Sequence, residues 1–143
     1  MRILIDADGC PVVDLAVKIA KEKNIECVIL CDTAHFFSID GVKTITVDQG
    51  ADSVDFKLVN MLKKNDIVIT QDYGLGAMCL AKQGRPMNQN GIIFTNQNID
   101  SFLTTRHINK KAMQSGKRIK GPKKRTEAQN EKFLEALLWL IEN

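Results

Sequence analysis

Six aspartates stand where they could do metal chemistry. Asp6 and Asp8 follow the apolar run that begins at Arg2. Asp48, Asp52 and Asp55 fall within Val47-Asp48-Gln49-Gly50-Ala51-Asp52-Ser53-Val54-Asp55, and Asp72 follows Asp66-Ile67-Val68-Ile69-Thr70. Carboxylates drawn to one place repel unless a cation joins them, and hard oxygen ligands with one or two carboxylates per ion suit Mg²⁺ or Mn²⁺. Asp52 and Asp55 are three residues apart, so on a helix they share a face near its first turn. Each acid also has a plainer use: Asp48 and Asp52 as turn and N-cap residues, Asp72 as initiator of the next helix. Asp6 and Asp8, at the end of an apolar strand, gain nothing obvious from local capping.

Such acids act together only if a scaffold collects them, and the hydrophobic pattern supplies one. Arg2 to Asp6 reads as a strand, and Pro11 opens a helix over Val12 to Lys23. Ile25 to Leu30 and Lys43 to Val47 read as further strands, Asp52 to Lys64 as a helix and Asp66 to Thr70 as a fourth strand. Tyr73 to Gln83 reads as a helix and Gly91 to Phe94 as a short fifth strand. Strands alternating with helices predict an α/β fold in three layers, a mainly parallel sheet with helices on both faces. In such a sheet ligands bind beyond the C-terminal strand ends. That rule selects Asp6, Asp8 and Asp72, with the acids after the third strand near the same edge. After Thr95 the pattern is helical. One helix starts at Asn98 or Asp100 and runs towards Met113; another, about 126–142, is capped by Thr126 with Gln129 and buries Phe133, Leu134, Leu137, Leu138 and Ile141.

Length and composition fit a single domain over residues 1–143, 44% hydrophobic and 26% charged. No apolar run approaches the ~20 residues of a membrane span, and acidic residues follow Met1 too closely for a signal segment, so the expected compartment is the cytoplasm. Cys10, Cys27, Cys31 and Cys79 match no paired zinc spacing and read as reduced, mostly buried thiols. Charge is uneven. Residues 1–105 hold 10 Lys and Arg against 13 Asp and Glu, residues 106–125 hold 9 against none, and residues 126–143 hold 1 against 4. The basic strap comprises Arg106, Lys110, Lys111, Lys117, Arg118, Lys120, Lys123, Lys124 and Arg125. It is either a solvated loop or a site that grips a phosphate backbone through counterion release.

The segment Ile5-Asp6-Ala7-Asp8-Gly9-Cys10-Pro11-Val12 resembles the signature of the YaiI/YqxD family of bacterial proteins, whose fold is similar to PIN and NYN ribonuclease domains. The blocks around Gly50 to Asp55, Asp66 to Leu75, Asn98 to Asp100 and Gly121-Pro122 resemble the family in the same order. The resemblance implies a PIN-like fold in which Asp6, Asp52 or Asp55, and Asp72 hold Mg²⁺ or Mn²⁺, with Asp8 next in rank. On that pattern the expected activity is phosphodiester hydrolysis, with RNA favoured. Asp6, Asp8, Asp55 and Asp72 would serve the chemistry, Ser53 or Thr70 would contact a phosphate oxygen, and the strap would hold nucleic acid. Two rivals stand beside it: an aspartate-dependent phosphatase with Asp6 as nucleophile, and a non-catalytic nucleic-acid-binding domain.

Overall fold

Apolar side chains on both sides of each central strand force those strands into the middle of the molecule. A computed structural model describes residues 1–32, 39–48, 53–105 and 124–143. Its five strands are β1 (Ile3–Asp6), β2 (Cys27–Asp32), β3 (Lys43–Val47), β4 (Ile67–Ile69) and β5 (Arg85–Met87), all parallel in the order β3-β2-β1-β4-β5. The helices are α1 (Val13–Glu22), α2 (Ser53–Met61), α3 (Tyr73–Ala81), α4, described over 99–105, and α5 (Glu127–Glu142). β1 alternates between two cores. Ile3 and Ile5 pack with α1 and α5, including Val13, Ala16, Phe133 and Leu137; Leu4 packs with α2 and α3 through Leu58, Leu62, Leu75 and Cys79. The result is a three-layer, Rossmann-like α/β fold, as the alternating pattern predicts. Among the described residues no helix is long and apolar enough to cross a membrane.

The chain builds outward from β1 to β2 and β3, then crosses back to place β4 and β5 on the other side. Strand order therefore reverses between β1 and β4, the position at which open parallel sheets leave a crevice.

β1 and β4 are shorter than expected by one residue at the start of β1 and one at each end of β4, and two strands depart further from the sequence expectation. β2 begins at Cys27 and continues to Asp32, beyond the expected Ile25 to Leu30. Helix α1 closes through Asn24 in the left-handed region (φ 56°), and the Ile25 amide donates to the Ala20 carbonyl, so pairing cannot begin until after the cap. The fifth strand is Arg85–Met87, and Gly91 to Phe94 is not one. Pro86 hides the true strand in the sequence, since proline suits an edge position such as that of β5. The expected strand folds back instead, making one antiparallel bridge from Ile93 to Met87. Gly91 sits there at φ 84°, and a Cβ on it would lie 2.4 Å from the Lys132 carbonyl oxygen of α5.

Helix α5 carries the expected capping box between Thr126 and Gln129. It buries Phe133, Leu137 and Leu140, with Leu134, Leu138 and Ile141 partly buried beside them and Trp139 exposed. All four cysteines are free thiols: Cys27, Cys31 and Cys79 are buried and Cys10 is half-buried.

Candidate functional site at the switch between β1 and β4

The last residue of β1 is Asp6, a carboxylate at the end of three fully buried apolar residues. The buried Thr70, just past β4, donates its hydroxyl to Asp6 Oδ2 at 2.7 Å and accepts the Asp72 amide at 3.0 Å. One hydroxyl thus ties the two strand ends and fixes Asp6 relative to the start of α3. Burial pushes the Asp6 carboxyl up to about 6; the Thr70 hydrogen bond pulls it down, and the nearby charges of Asp8 and Asp72 raise it further. Gly9, at φ 71°, turns the chain immediately after Asp8, a conformation that suits glycine. Asp8 Oδ1 lies 3.4 Å from the Asp32 amide at the end of β2.

Asp72 is the N-cap of α3: its Oδ1 accepts from the Gly74 amide at 2.8 Å and the Leu75 amide at 3.2 Å. The capping use expected for this residue is therefore real, and it coexists with its place beside Asp6. Asp55, on α2, meets Asp72 across a cleft of about 560 Å³ between α2 and α3, rimmed by the exposed side chains of Phe56 and Met78.

The expected site residues divide accordingly. The structure brings Asp6, Asp8, Thr70 and Asp72 to one edge and sets Asp55 in the adjoining cleft; Asp48 is exposed just after β3. Asp52 lies outside the described residues, and Ser53 is placed only as the first residue of α2. Thr70 is engaged by Asp6 and Asp72, so its hydroxyl positions the acids. Of the basic strap, Arg106, Lys110, Lys111, Lys117, Arg118, Lys120 and Lys123 lie outside the described residues. Lys124 is exposed. Arg125 is half-buried, its guanidinium donating to Asn130 Oδ1, Asn90 Oδ1 and the Gln89 carbonyl. Tyr73, the first residue of α3, packs against Phe94 and Phe102 with ring centres 5.6 and 5.3 Å away.

Sequence reasoning missed Asp32 and Phe56. Asp32 ends β2 on the same edge as Asp6, and the expected end of that strand at Leu30 concealed it. Phe56 lies in an amphipathic helix where an aromatic ordinarily signals core, yet it is 66% exposed.

Among the described residues no group of three or more His, Cys, Asp or Glu side chains stands ready to hold a metal ion. Mg²⁺, however, usually keeps several waters and takes only one or two protein carboxylates. Asp6 with Asp8 or Asp72 is an all-oxygen donor set of that kind, and it fits a hydrated hard cation.

Residues 4–143 match the family described as Uncharacterized BCR, YaiI/YqxD family. The chain belongs to that family. It is 49% identical over 141 residues to a UPF0178 protein of Exiguobacterium sibiricum, covering 99% of this chain and 96% of the relative. A UPF0178 protein of Ruminiclostridium cellulolyticum is 46% identical, with 99% and 92% covered. One of Clostridium acetobutylicum is 42% identical, with 99% and 97% covered. No solved structure matches the chain. Family membership thus spans the whole site, from Asp6 to Arg125.

Proposed function

We propose that this protein is a divalent-cation-dependent phosphodiesterase that cuts RNA at the C-terminal edge of its sheet. The observation that carries the reading is Asp6, a largely buried carboxyl at the strand-order switch, kept beside Asp8 and Asp72 and locked to the start of α3 through Thr70. Crowding acids there opposes folding, and local rules are broken in this way chiefly at functional sites. The resemblance of the family's fold to PIN and NYN ribonuclease domains supports the same chemistry, as an analogy of fold.

In this reading Asp6 and Asp72 hold the cation and Asp8 orients water towards phosphorus. Asp55, across the cleft, helps hold a second ion or its waters. When bound, Mg²⁺ or Mn²⁺ supplies positive charge that acidifies water and stabilises the developing charge on phosphate oxygens. Thr70 keeps Asp6 aimed, and the basic strap draws the strand to an otherwise acidic body. An aspartyl-phosphate mechanism is less well supported. Such enzymes need a lysine beside the nucleophile, and Lys82 sits at the far end of α3 with its ammonium on the Val59 carbonyl.

The test is Mn²⁺ calorimetry on the wild type, Asp6→Asn and Asp72→Asn, followed by cleavage of a labelled single-stranded RNA and of p-nitrophenyl phosphate. The expected result is Mn²⁺ binding and RNA cleavage by the wild type, both lost in the two variants, with the monoester untouched. Equal, negligible Mn²⁺ binding by all three proteins would remove the catalytic reading. Turnover of the monoester without cutting RNA would replace it with the phosphatase.

A further inference from the structure

A second, smaller cleft of about 200 Å³ is walled by the loops after β1, β4 and β5 and by the start of α5. It adjoins the acidic edge through the chain itself: Gly9 follows Asp8, and Gln71 lies between Thr70 and Asp72. Among the described residues its lining includes no carboxylate. Four carboxamides, Gln71, Gln89, Asn90 and Gln129, surround one cation, Arg125.

The walls are held in place. Gln71 donates its side-chain amide to the Gly9 carbonyl. Arg125 donates Nε to Asn130 Oδ1 at 2.6 Å, one terminal nitrogen to Asn90 Oδ1 at 2.9 Å, and the other to the Gln89 carbonyl. Neutral amides thus fix the guanidinium while its charge stays uncancelled by them, and these bonds use three of the five N–H donors an arginine owns. Gln89 contributes the decisive atom. Its Oε1 is shielded from solvent and has no hydrogen-bond partner, the sole such side-chain nitrogen or oxygen among the described residues.

Buried polar atoms are almost always paired, so this orphan acceptor, on a residue of the cleft wall, points to a donor that it meets when the Gln89 side chain turns towards the cleft. A backbone phosphodiester cannot supply one, because it carries acceptors alone. The ligand must offer an N–H to Gln89 and an acceptor to Arg125, and fit about 200 Å³. The edge of a nucleobase, with donor and acceptor side by side, meets every condition. We infer that this cleft takes the edge of one base of the bound strand, next to the phosphate held at the acidic edge, and gives the protein a base preference at the cut. The inference rests on the phosphodiesterase reading for the identity of the polymer. A site built to hydrogen-bond its ligand rejects a partner that leaves its polar groups unpaired, so preference here is stronger than stacking alone gives.

The experiment is calorimetry on the full chain in EDTA, with the four nucleoside 5′-monophosphates and inorganic phosphate as separate probes. The proteins are the wild type, Gln89→Met and Arg125→Lys. At least one nucleotide is expected to bind with a Kd of about 1 mM, and inorganic phosphate about tenfold more weakly. Gln89→Met should weaken that nucleotide about fivefold or more while raising Tm, since an apolar side chain of similar length removes the unpaired oxygen. Arg125→Lys should weaken it as well, because an ammonium lacks the planar fork. Failure of every nucleotide to bind up to about 10 mM overturns the inference, as does equal affinity in wild type and Gln89→Met, or phosphate binding as tightly as the nucleotides. The two readings fail separately. Nucleotide binding that Gln89→Met abolishes, in a protein that never cuts RNA with Mn²⁺, keeps the subsite and removes the phosphodiesterase. Cutting without nucleotide binding does the reverse.

Discussion

Asp6 and Asp66 sit beside the same two central strands, at opposite edges of the sheet, and are treated in opposite ways. Asp66 precedes β4 at the N-terminal edge and is 2% exposed. Its carboxylate accepts from the Arg2 amide at 3.0 Å, the Lys63 amide at 2.9 Å and the Arg2 guanidinium at 2.8 Å. Burial alone pushes the Asp66 carboxyl up, but the Arg2 and Lys63 hydrogen bonds and the Arg2 charge outweigh it and bring it below its ordinary value. Asp6, at the C-terminal edge, has one hydroxyl for support and two acids for neighbours, and burial lifts it to about 6. A buried acid that serves the fold is surrounded by donors until its charge is favourable. One kept charged against the fold's interest has another use.

Breaking the supported acid should cost most. Asp66→Asn leaves the Arg2 guanidinium, itself 17% exposed, without its counter-ion and is expected to lower stability by about 3 kcal/mol, read as a fall in the urea midpoint. Because the folded pKa of Asp66 lies below the unfolded one, its stabilisation is full above the unfolded value near 4 and is lost as pH falls through the folded value. The gap between wild type and Asp66→Asn should therefore narrow in acid.

Removing the charge at the other edge should do the opposite. Asp6→Asn keeps an acceptor for Thr70 and eliminates a desolvated charge, so without divalent cations it should gain roughly 1–3 kcal/mol at pH 7. The sign follows from a folded pKa raised from 3.8 to about 6: the wild type takes up a proton on folding between those values and becomes more stable as pH falls through that window. The advantage of Asp6→Asn should vanish near pH 4. An Asp6→Asn protein less stable than wild type at pH 7 would mean the carboxylate is as well supported as Asp66, and the contrast between the edges would disappear.

This contrast was only half legible in the sequence. The apolar periodicity of β1, β4, α1, α3 and α5 was enough to predict three layers and to put Asp6, Asp8 and Asp72 on one edge. The strand that contains Pro86 was not legible, because proline signals a break and only its edge position makes it tolerable. Asp32 escaped because Asn24 and Ile25 belong to the cap of α1, which shifts β2 by two residues and carries an acid into view at its end. The run ending at Arg125 read as bulk positive charge, and a charge count does not say that two carboxamides and a backbone carbonyl hold this guanidinium. Gln71, Gln89 and Asn90 carried no signal at all, and Gln129 only that of a helix cap. Neutral amides are common on surfaces, and only the orphan oxygen of Gln89, a property of three dimensions, singles them out.

The link between the edge acids can be cut without touching either. Thr70→Val preserves shape while removing the hydroxyl that donates to Asp6 and accepts the Asp72 amide. The expected loss is about 1–2 kcal/mol, since both partners are left short of a bond at a residue 1% exposed. Thr70 also lowers the Asp6 carboxyl, so its removal should move the Asp6 titration, followed by carboxyl NMR, above its wild-type midpoint. A purely packing role for Thr70 predicts a stability loss with that midpoint unmoved.

The smallest effect is expected at Asp72, and there the discrimination between fold and chemistry is sharpest. Its Oδ1 caps α3 by accepting from Gly74 and Leu75, and Asn caps about as well as Asp. Asp72→Asn should change stability by only about 0.5 kcal/mol, whereas Asp72→Ala should cost about 1 kcal/mol through loss of the cap. Mn²⁺ affinity should fall in both, because only the carboxylate supplies charge. If Asp72→Asn binds Mn²⁺ like the wild type and Asp72→Ala merely unfolds sooner, Asp72 is a cap and nothing more. The acids proposed to serve a cation at the C-terminal edge then reduce to Asp6 and Asp8, and the cleft towards Asp55 loses its place in the chemistry.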